Sequence, residues 1–326
     1  MMQESEYNAK KGAGGTELSI VIPCLNEAAV FPELLRRVSA AAEQVELSYE
    51  IIIIDDGSID ETWKQILEAS TRDARIVGVK LSRNFGHQVA LTAGLRLVRG
   101  KFIFIIDADL QDPPELLSEM YSTMLRERAD VVYGYRRTRS GEPVLKKAFI
   151  TIFYRLLQFA TNKTIPPEAG DFRLISRRMS DTLMAMPERD RFLRGMIAWV
   201  GFKQVAYEYD RKSRFLGKTK YPLRKLLRLA MDAFLGHSMV LLRVAGFMAL
   251  LLFLALVGVA IFTLYAWFYL PNIPGWTSIT MLVVLTSATQ LLVLSVLGEY
   301  IGRIYMESKR RPLFIVEEAT KKHDGN

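Results

Sequence analysis

The sequence predicts an α/β protein: a mostly parallel sheet with helices on both faces, followed by an interfacial amphipathic helix and two C-terminal transmembrane helices. Three observations carry this. Short apolar runs alternate with stretches of helical spacing from Leu18 to Tyr135, the rhythm of parallel strands joined by crossover helices. Polar residues gather wherever an apolar run ends. Finally, no Asp, Glu, Lys or Arg lies between Arg243 and Glu299, although charged residues make up 24% of the 326-residue chain.

The elements follow in order. Residues 1–16 are polar and Gly-rich and read as a disordered lead. Leu18 to Pro23 is a strand, Ala28 to Gln44 a helix, Glu50 to Ile54 a strand, and Glu61 to Ser70 a helix. Ile76 to Leu81 and Lys101 to Ile106 are strands flanking a helix over Gln88 to Arg99; Pro113, suited to a helix start, opens another helix that runs to Arg126. Val131 to Tyr135 is a further strand, and residues 17–221 are assigned to one large domain.

Residues 222–242 carry Leu223, Leu226, Leu227, Ala230 and Phe234 on one helical face with Arg224, Lys225 and Arg228 beside it, the pattern of a helix lying in a membrane surface. The block assigned to the two spans, residues 243–300, has no charged residue between Arg243 and Glu299 and breaks at Pro271 to Gly275. It leaves Val244 to Leu270 and Trp276 to Gly298, each long enough to cross about 30 Å of hydrocarbon. The turn holds no Lys or Arg, whereas the tail over residues 301–326 carries Arg303, Lys309, Arg310, Arg311, Lys321 and Lys322. The positive-inside rule then places the large N-terminal domain and both termini in the cytoplasm, on a multi-pass protein of the inner (plasma) membrane. Cys24, the single cysteine, has no internal partner and reads as a core thiol in a reducing compartment. The formal charge of +8 favours anionic partners, lipid head groups or phosphorylated substrates, without choosing among them.

Ligands of such sheets bind beyond the carboxyl ends of the strands. There the sequence places Asn26-Glu27, Asp55-Asp56-Gly57-Ser58, Ser82 to His87, and Asp107-Ala108-Asp109. Turns and caps explain any one of these; repeated carboxylate pairs call for a cation or a donor. Two carboxylates at i and i+2 with an amide at i+4, as in Asp107, Asp109 and Gln111, suit a hard divalent ion, Mg²⁺ or Mn²⁺, shared with phosphate oxygens. Competing chemistries lack their residues. No Gly-x-Gly-x-x-Gly follows the first strand, Lys212 stands where a phosphate-binding loop before Gly217-Lys218-Thr219 needs its first glycine, and His87, His237 and His323 are too scattered for zinc.

Taken in order, Val21-Ile22-Pro23-Cys24-Leu25-Asn26-Glu27, Asp55-Asp56-Gly57-Ser58, Ser82-Arg83-Asn84-Phe85-Gly86-His87 and Asp107-Ala108-Asp109-Leu110-Gln111-Asp112-Pro113-Pro114 resemble the inverting family 2 glycosyltransferases of GT-A fold. Within them the chain is similar to the polyprenyl-phosphate sugar transferases, the group of dolichol-phosphate mannose synthase and the bacterial bactoprenol glucosyltransferases. The resemblance implies that Pro23, Glu27, Asp55 and Asp56, with Asp107, bind the donor nucleotide, and that Asp107, Asp109 and Gln111 hold the metal. It places Asp171 and Arg173 near the acceptor, Asp171 as a base or as an orienting group, with Asp109 and Arg173 also counted catalytic. Arg173, Arg214 and Lys220, and more weakly Arg136, would contact phosphate. The Gln-x-x-Arg-Trp stretch of processive polymer synthases is absent, which favours a single transfer.

The reaction so implied moves one hexose, glucose from UDP-glucose, to undecaprenyl or another polyprenyl phosphate. Mannose from GDP-mannose or aminoarabinose remain open as the sugar, and a catalytically inactive scaffold that binds nucleotide sugar or lipid is the rival from another class. A homo-oligomer is left open; nucleic acid is not expected as a partner.

Overall fold

The apolar run Leu18–Cys24 forms β1, completely buried, and Phe31–Glu43 forms α1 behind it with Pro in its first turn. Tyr49–Asp55 is β2, Thr62–Arg72 α2, Ile76–Leu81 β3, His87–Leu97 α3 and Phe102–Ile105 β4. A short 3-10 turn over Pro114–Leu116 leads into α4, Leu117–Glu127, and then β5, Val131–Arg136. Beyond these lie β6 (Ala169–Ser176), α5 (Arg177–Ala185), α6 (Leu193–Val200), β7 (Gln204–Tyr209), α7 (Trp276–Ser308) and β8 (Val316–Ala319). This computed structural model describes residues 15–136, 169–189, 191–209 and 275–320, with isolated helical positions between 247 and 262.

One eight-stranded sheet runs in the order β7-β5-β6-β4-β1-β2-β3-β8. β1 pairs in parallel with β2 and β4, β2 with β3, and β5 with β7. The sheet is therefore mostly parallel, as expected, but β6 enters antiparallel between β4 and β5, and β8 closes the far edge antiparallel to β3. Alternate strand residues serve two cores. Leu18, Ile20, Ile22, Ile51 and Ile53 face α1, α2 and α4, while Val21, Ile52, Ile54, Ile103 and Ile105 face α3, α5 and α6. Each such aliphatic side chain contributes roughly 1.5–3 kcal/mol by leaving water, so both faces of the sheet are apolar and both carry helices. The seating of α3 is close: a Cβ on Gly94 would stand 2.3 Å from Val21 Cγ1.

The chain divides into two units. The first joins the N-terminal residues to Pro312 and beyond, because β8 belongs to the sheet. Its edge strand is fastened by side chains: Trp63 Nε1 donates to Glu318 Oε2 at 2.9 Å, and Gly78 N donates to Thr320 Oγ1 at 2.9 Å. The tail expected as a basic extension thus contributes a strand.

The second unit contains α7, 33 residues long and ten residues longer at its end than the predicted span, taking in Glu299, Arg303 and Glu307. Its Leu285–Gly302 window is the one candidate membrane span among the described residues, and none of that window is buried. Two spans were expected. Of the first, Val244 to Leu270, the described helical positions include Phe247, Leu250, Leu251, Leu254, Val257, Ile261 and Phe262, all exposed and apolar. The rest of that span and the expected interfacial helix over 222–242 lie outside the described residues.

Candidate active site

The strand order puts β1 at the centre of the cleft, between β2 and β4. Asp55 ends β2 and Asp107 follows β4, so the two carboxylates flank Pro23 and Cys24 at a separation of two strand spacings, about 10 Å. The rim is stitched across the loops. Asn26, at φ 55°, accepts from Ile59 N with its Oδ1 (2.9 Å) while its own N donates to Ser58 Oγ (2.9 Å). Glu27 N donates to Thr62 Oγ1 at 2.9 Å, which fixes the start of α1 against α2.

The acidic pair after β2 divides its work. Asp55 is fully buried; its Oδ1 accepts from Ser58 N at 3.2 Å, but its Oδ2 has no hydrogen-bond partner. Burial pushes its pKa up, as expected for an acceptor that lacks a donor. Both oxygens of Asp56, in contrast, are already engaged, by Phe85 N at 2.8 Å and Gly86 N at 2.9 Å. Gly86, at φ 101°, is the N-cap of α3, so Asp56 holds the turn that launches this helix.

α3 begins with His87 and Gln88, and these two meet Asp171. The antiparallel entry of β6 explains the meeting: Ile105 pairs with Arg173, so two residues further along, Asp107 and Asp171 come opposite each other. Asp171, 5% exposed, accepts from His87 Nε2 (3.1 Å), from Gln88 Nε2 (3.1 Å), and from Arg194 Nε and Nη2 (2.9 Å each). Arg194 lies in the first turn of α6, and Gln88 Oε1 also accepts from Leu193 N at 3.1 Å, tying α6 to α3. Burial alone would raise the Asp171 pKa, but Arg194 and His87 pull it well below the usual carboxylate range. Burial disfavours charge on His87, yet Asp107 and Asp171 outweigh it and lift its pKa to about 9, so the ring is an imidazolium at neutral pH. Arg173 is buried, donates through Nη2 to Gly170 O at 2.6 Å, and has an Nε with no hydrogen-bond partner; burial lowers its pKa to about 10.

Just beyond Asp107, Asp109 Oδ1 accepts from Gln111 N at 3.1 Å, a tight turn that passes through Leu110 at φ 55°. Asp112 is buried and accepts from Tyr209 Oη. Asp107 Oδ1 is buried without a hydrogen-bond partner, 3.4 Å from His87 Nε2. Burial pushes the Asp107 pKa up; His87 opposes this, and Asp171, Asp112 and Asp109 add to it. No three His, Cys, Asp or Glu side chains among the described residues stand close enough to hold an ion by themselves. The donor set is all oxygen, though, and Asp107 offers an orphaned buried acceptor among like charges. Those residues fit a hard divalent ion whose coordination a substrate phosphate completes.

Pro23, Glu27, Asp55, Asp56, Asp107, Asp109, Gln111, Asp171 and Arg173 all fall at the strand ends or on β6. Arg136 ends β5, with its side chain outside the described residues, and Arg214 and Lys220 lie outside them altogether. Sequence reasoning missed Gln88 and Arg194, and it placed His87 at the third strand end of the cleft without giving it a role. The available signal for Arg194 was faint, a single cation opening the otherwise apolar stretch Leu193 to Val200.

Comparison with known proteins places the chain in a family. Residues 19–184 match the family described as glycosyl transferase family 2. An uncharacterized glycosyltransferase of Bacillus subtilis (strain 168), YkcC, is 42% identical over 308 residues, covering 93% of this chain and 94% of that protein. The bactoprenol glucosyl transferase of Shigella phage SfV is 34% identical over 312 residues, covering 94% of this chain and 100% of its own. Among solved structures, glucosyl-3-phosphoglycerate synthase from Mycobacterium tuberculosis in complex with phosphoglyceric acid superposes with a TM-score of 0.46 at 21% identity. That superposition covers 73% of this chain and 84% of the synthase, a likeness too distant to bear on the chemistry.

Proposed function

The chain belongs to glycosyl transferase family 2, and from that premise we propose that it moves one glucose from UDP-glucose to a polyprenyl phosphate at the cytoplasmic leaflet of the cell membrane. The observation that carries this reading is the convergence of unsatisfied acceptors and cations in one cleft: Asp55 Oδ2, Asp107 Oδ1 and Arg173 Nε are all buried without hydrogen-bond partners. A nucleoside diphosphate sugar supplies the complementary groups. Its ribose hydroxyls and base N–H are donors for Asp55 and Glu27 beside Pro23, and its phosphates are acceptors for the arginines. The lipid acceptor and the glucose are drawn from the bactoprenol glucosyl transferase relative, 34% identical over almost the whole chain.

In this reading an oxygen of the lipid phosphate attacks C1 from the face opposite the leaving group. The bond from C1 to the diphosphate breaks, a bond from C1 to the lipid phosphate forms, and UDP departs, so an α-linked donor yields a β-linked product. A phosphate monoester, with its second pKa near 6, needs no base to become a nucleophile. Asp171, already accepting from three side chains, therefore serves as an orienting group. Asp107, Asp109 and Gln111 would hold Mg²⁺ or Mn²⁺, which neutralises charge on the departing diphosphate. Arg173, Arg136, Arg214 and Lys220 are assigned to phosphate oxygens, and Asp56 to shaping the loop that carries His87.

The acceptor's long apolar chain stays in a bilayer, and two features support anchoring of the enzyme there. α7 exposes an apolar window over Leu285–Gly302. β8, which follows α7, pairs with β3 in the same sheet as the N-terminal strands, so a chain that leaves through a membrane between β7 and β8 must return to the face it left. That favours an even number of crossings, with Val244 to Leu270 as the second.

The test is transfer of radiolabel from UDP-glucose to undecaprenyl phosphate, with Mg²⁺ or Mn²⁺ present or chelated, by the wild type and Asp109→Ala. Metal-dependent labelled lipid that disappears in the variant is expected. Absence of labelled lipid under every condition, with correctly folded protein, refutes the proposed donor and acceptor.

A further inference from the structure

β6 does not pair evenly with β5. Tyr133 lies opposite Arg173 and Tyr135 opposite Ala169, so Gly170, Asp171 and Phe172 together face the single residue Gly134. Extra residues on one strand make a bulge, a device that re-aims side chains beside active sites. Here the re-aimed residue is Asp171. Alternation sends Phe172 to the face that carries α1, α2 and α4, and Asp171 to the opposite face, where it meets His87, Gln88 and Arg194. Arg173 Nη2 ties the two ends of the bulge by donating to Gly170 O at 2.6 Å. Phe172 is a wedge: fully buried, its ring centroid stands 5.3 Å from that of Phe104 and 5.5 Å from that of Tyr209. It fills the space in which a side chain at 134 would lie, since a Cβ on Gly134 would stand 2.5 Å from Phe172 Cδ1 and 2.7 Å from Tyr209 Cε1. Tyr209 Oη in turn donates to Asp112, the residue after Gln111. One packed path therefore joins the loop assigned above to the metal with the residue next to Asp171.

We propose that Gly134 and Phe172 are positioning residues for the transfer: the bare glycine lets the ring sit where it fixes the bulge, and the bulge sets Asp171 in the cleft. The inference rests on the glycosyl transfer proposed above, in which Asp171 orients the acceptor, and adds to it two buried residues that act through Asp171. Aromatic packing that merely stabilised the sheet would alter the melting temperature and leave turnover by the folded enzyme unchanged.

Wild type, Gly134→Ala, Phe172→Leu and the double variant are compared in lipid transfer, in calorimetry with UDP and in thermal unfolding. Gly134→Ala is expected to lower kcat about 10- to 100-fold, the scale on which misplacement by about an ångström acts, with UDP affinity within about 2-fold of wild type. Its Tm should fall by roughly 2–12 °C, because the methyl must displace a packed ring. In the double variant the added methyl takes volume that the ring has given up, so kcat should recover at least about 3-fold over Gly134→Ala. Unchanged kcat in folded Gly134→Ala overturns the proposal, as do single losses that multiply in the double variant, or a fall in UDP affinity that matches the fall in kcat. Where Gly134→Ala does not fold, the double variant is compared with Phe172→Leu alone: it is expected to be the faster, and a double variant no faster than Phe172→Leu overturns the proposal. A wild type that forms no glycolipid from any donor sinks the reaction proposed above. A crystal structure of Gly134→Ala then reads the inference without turnover: Asp171 moved off Arg194 supports it, and Asp171 still on His87, Gln88 and Arg194 refutes it.

Discussion

Asp56 offers a test of whether an acidic residue at a strand end serves the ligand or the loop. Its side chain is buried, with one oxygen on Phe85 N at 2.8 Å and the other on Gly86 N at 2.9 Å. Hydrogen bonds to a charged group contribute about 1.5–3 kcal/mol each, so the pair is worth roughly 3–6 kcal/mol before the cost of burying the charge. That cost is real, since burial pushes the Asp56 pKa up, and it brings the expected loss for Asp56→Ala to about 2–4 kcal/mol. Asp56→Asn keeps one acceptor and turns an amide NH₂ toward the other N–H, for roughly half to all of that loss. In a unit of this size each kcal/mol moves Tm by about 2–4 °C, so Asp56→Ala should melt about 5–15 °C below wild type by circular dichroism. Saturating UDP should recover part of the shift in Asp56→Asn, because the proposed reading gives the base and ribose to Asp55 and Glu27. If Asp56→Asn melts within about 2 °C of wild type while its affinity for UDP falls 10-fold, the loop-holding role is wrong and the carboxylate faces the nucleoside.

Further outcomes follow from the packing. Gly94→Ala gains about 1 kcal/mol of helix propensity but drives a methyl to 2.3 Å from Val21 Cγ1. Overpacking of about 1–3 kcal/mol should win, and a raised Tm would refute the close seating of α3. Cys24 is buried and its thiol is pushed well above its ordinary pKa, first by burial and then by Asp55 and Glu27. At pH 8 it should stay protonated and resist a disulfide reagent until denaturant is added; rapid labelling of the native protein would contradict this. Glu318→Ala removes the acceptor of Trp63 Nε1 at 2.9 Å and should lower Tm by a few degrees, about 1 kcal/mol. An unchanged melting curve would mean that β8 is held by its backbone alone.

The first half of the sheet was legible in the sequence because its strands are unbroken apolar runs. Ile76–Leu81 is found where the pattern predicts it, and Leu18–Cys24 and Tyr49–Asp55 differ from expectation by one or two residues at their ends. β6 was illegible for a physical reason: Ala169–Ser176 turns Asp171 and Arg173 into the same buried face as Ile175, where a periodicity argument expects apolar residues. β8 was missed because a short, charged and fully exposed edge strand looks like a tail. Of the site, the strand-end carboxylates announced themselves by repetition. The partition between them did not, since nothing in Asp55-Asp56 says which member keeps an orphaned oxygen and which is spent on Phe85 and Gly86. Arg194 and Gln88 become neighbours of Asp171 only through the antiparallel turn of β6 and the packing of α6 on α3.

The place of β8 also sets an order of events. During synthesis β3 is made early, yet its outer edge finds its strand only after the whole of α7 has been produced and the chain has come back to Val316–Ala319. Until then its amides and carbonyls stand open to any extended segment nearby, the usual opening for misassembly. A chain that stalls within the helical segment would carry a catalytic fold with a sticky margin, whereas one that reaches Val316–Ala319 seals that margin. This strand thereby acts as a closing signature, making the stability of the fold depend on completing the long helix that precedes it.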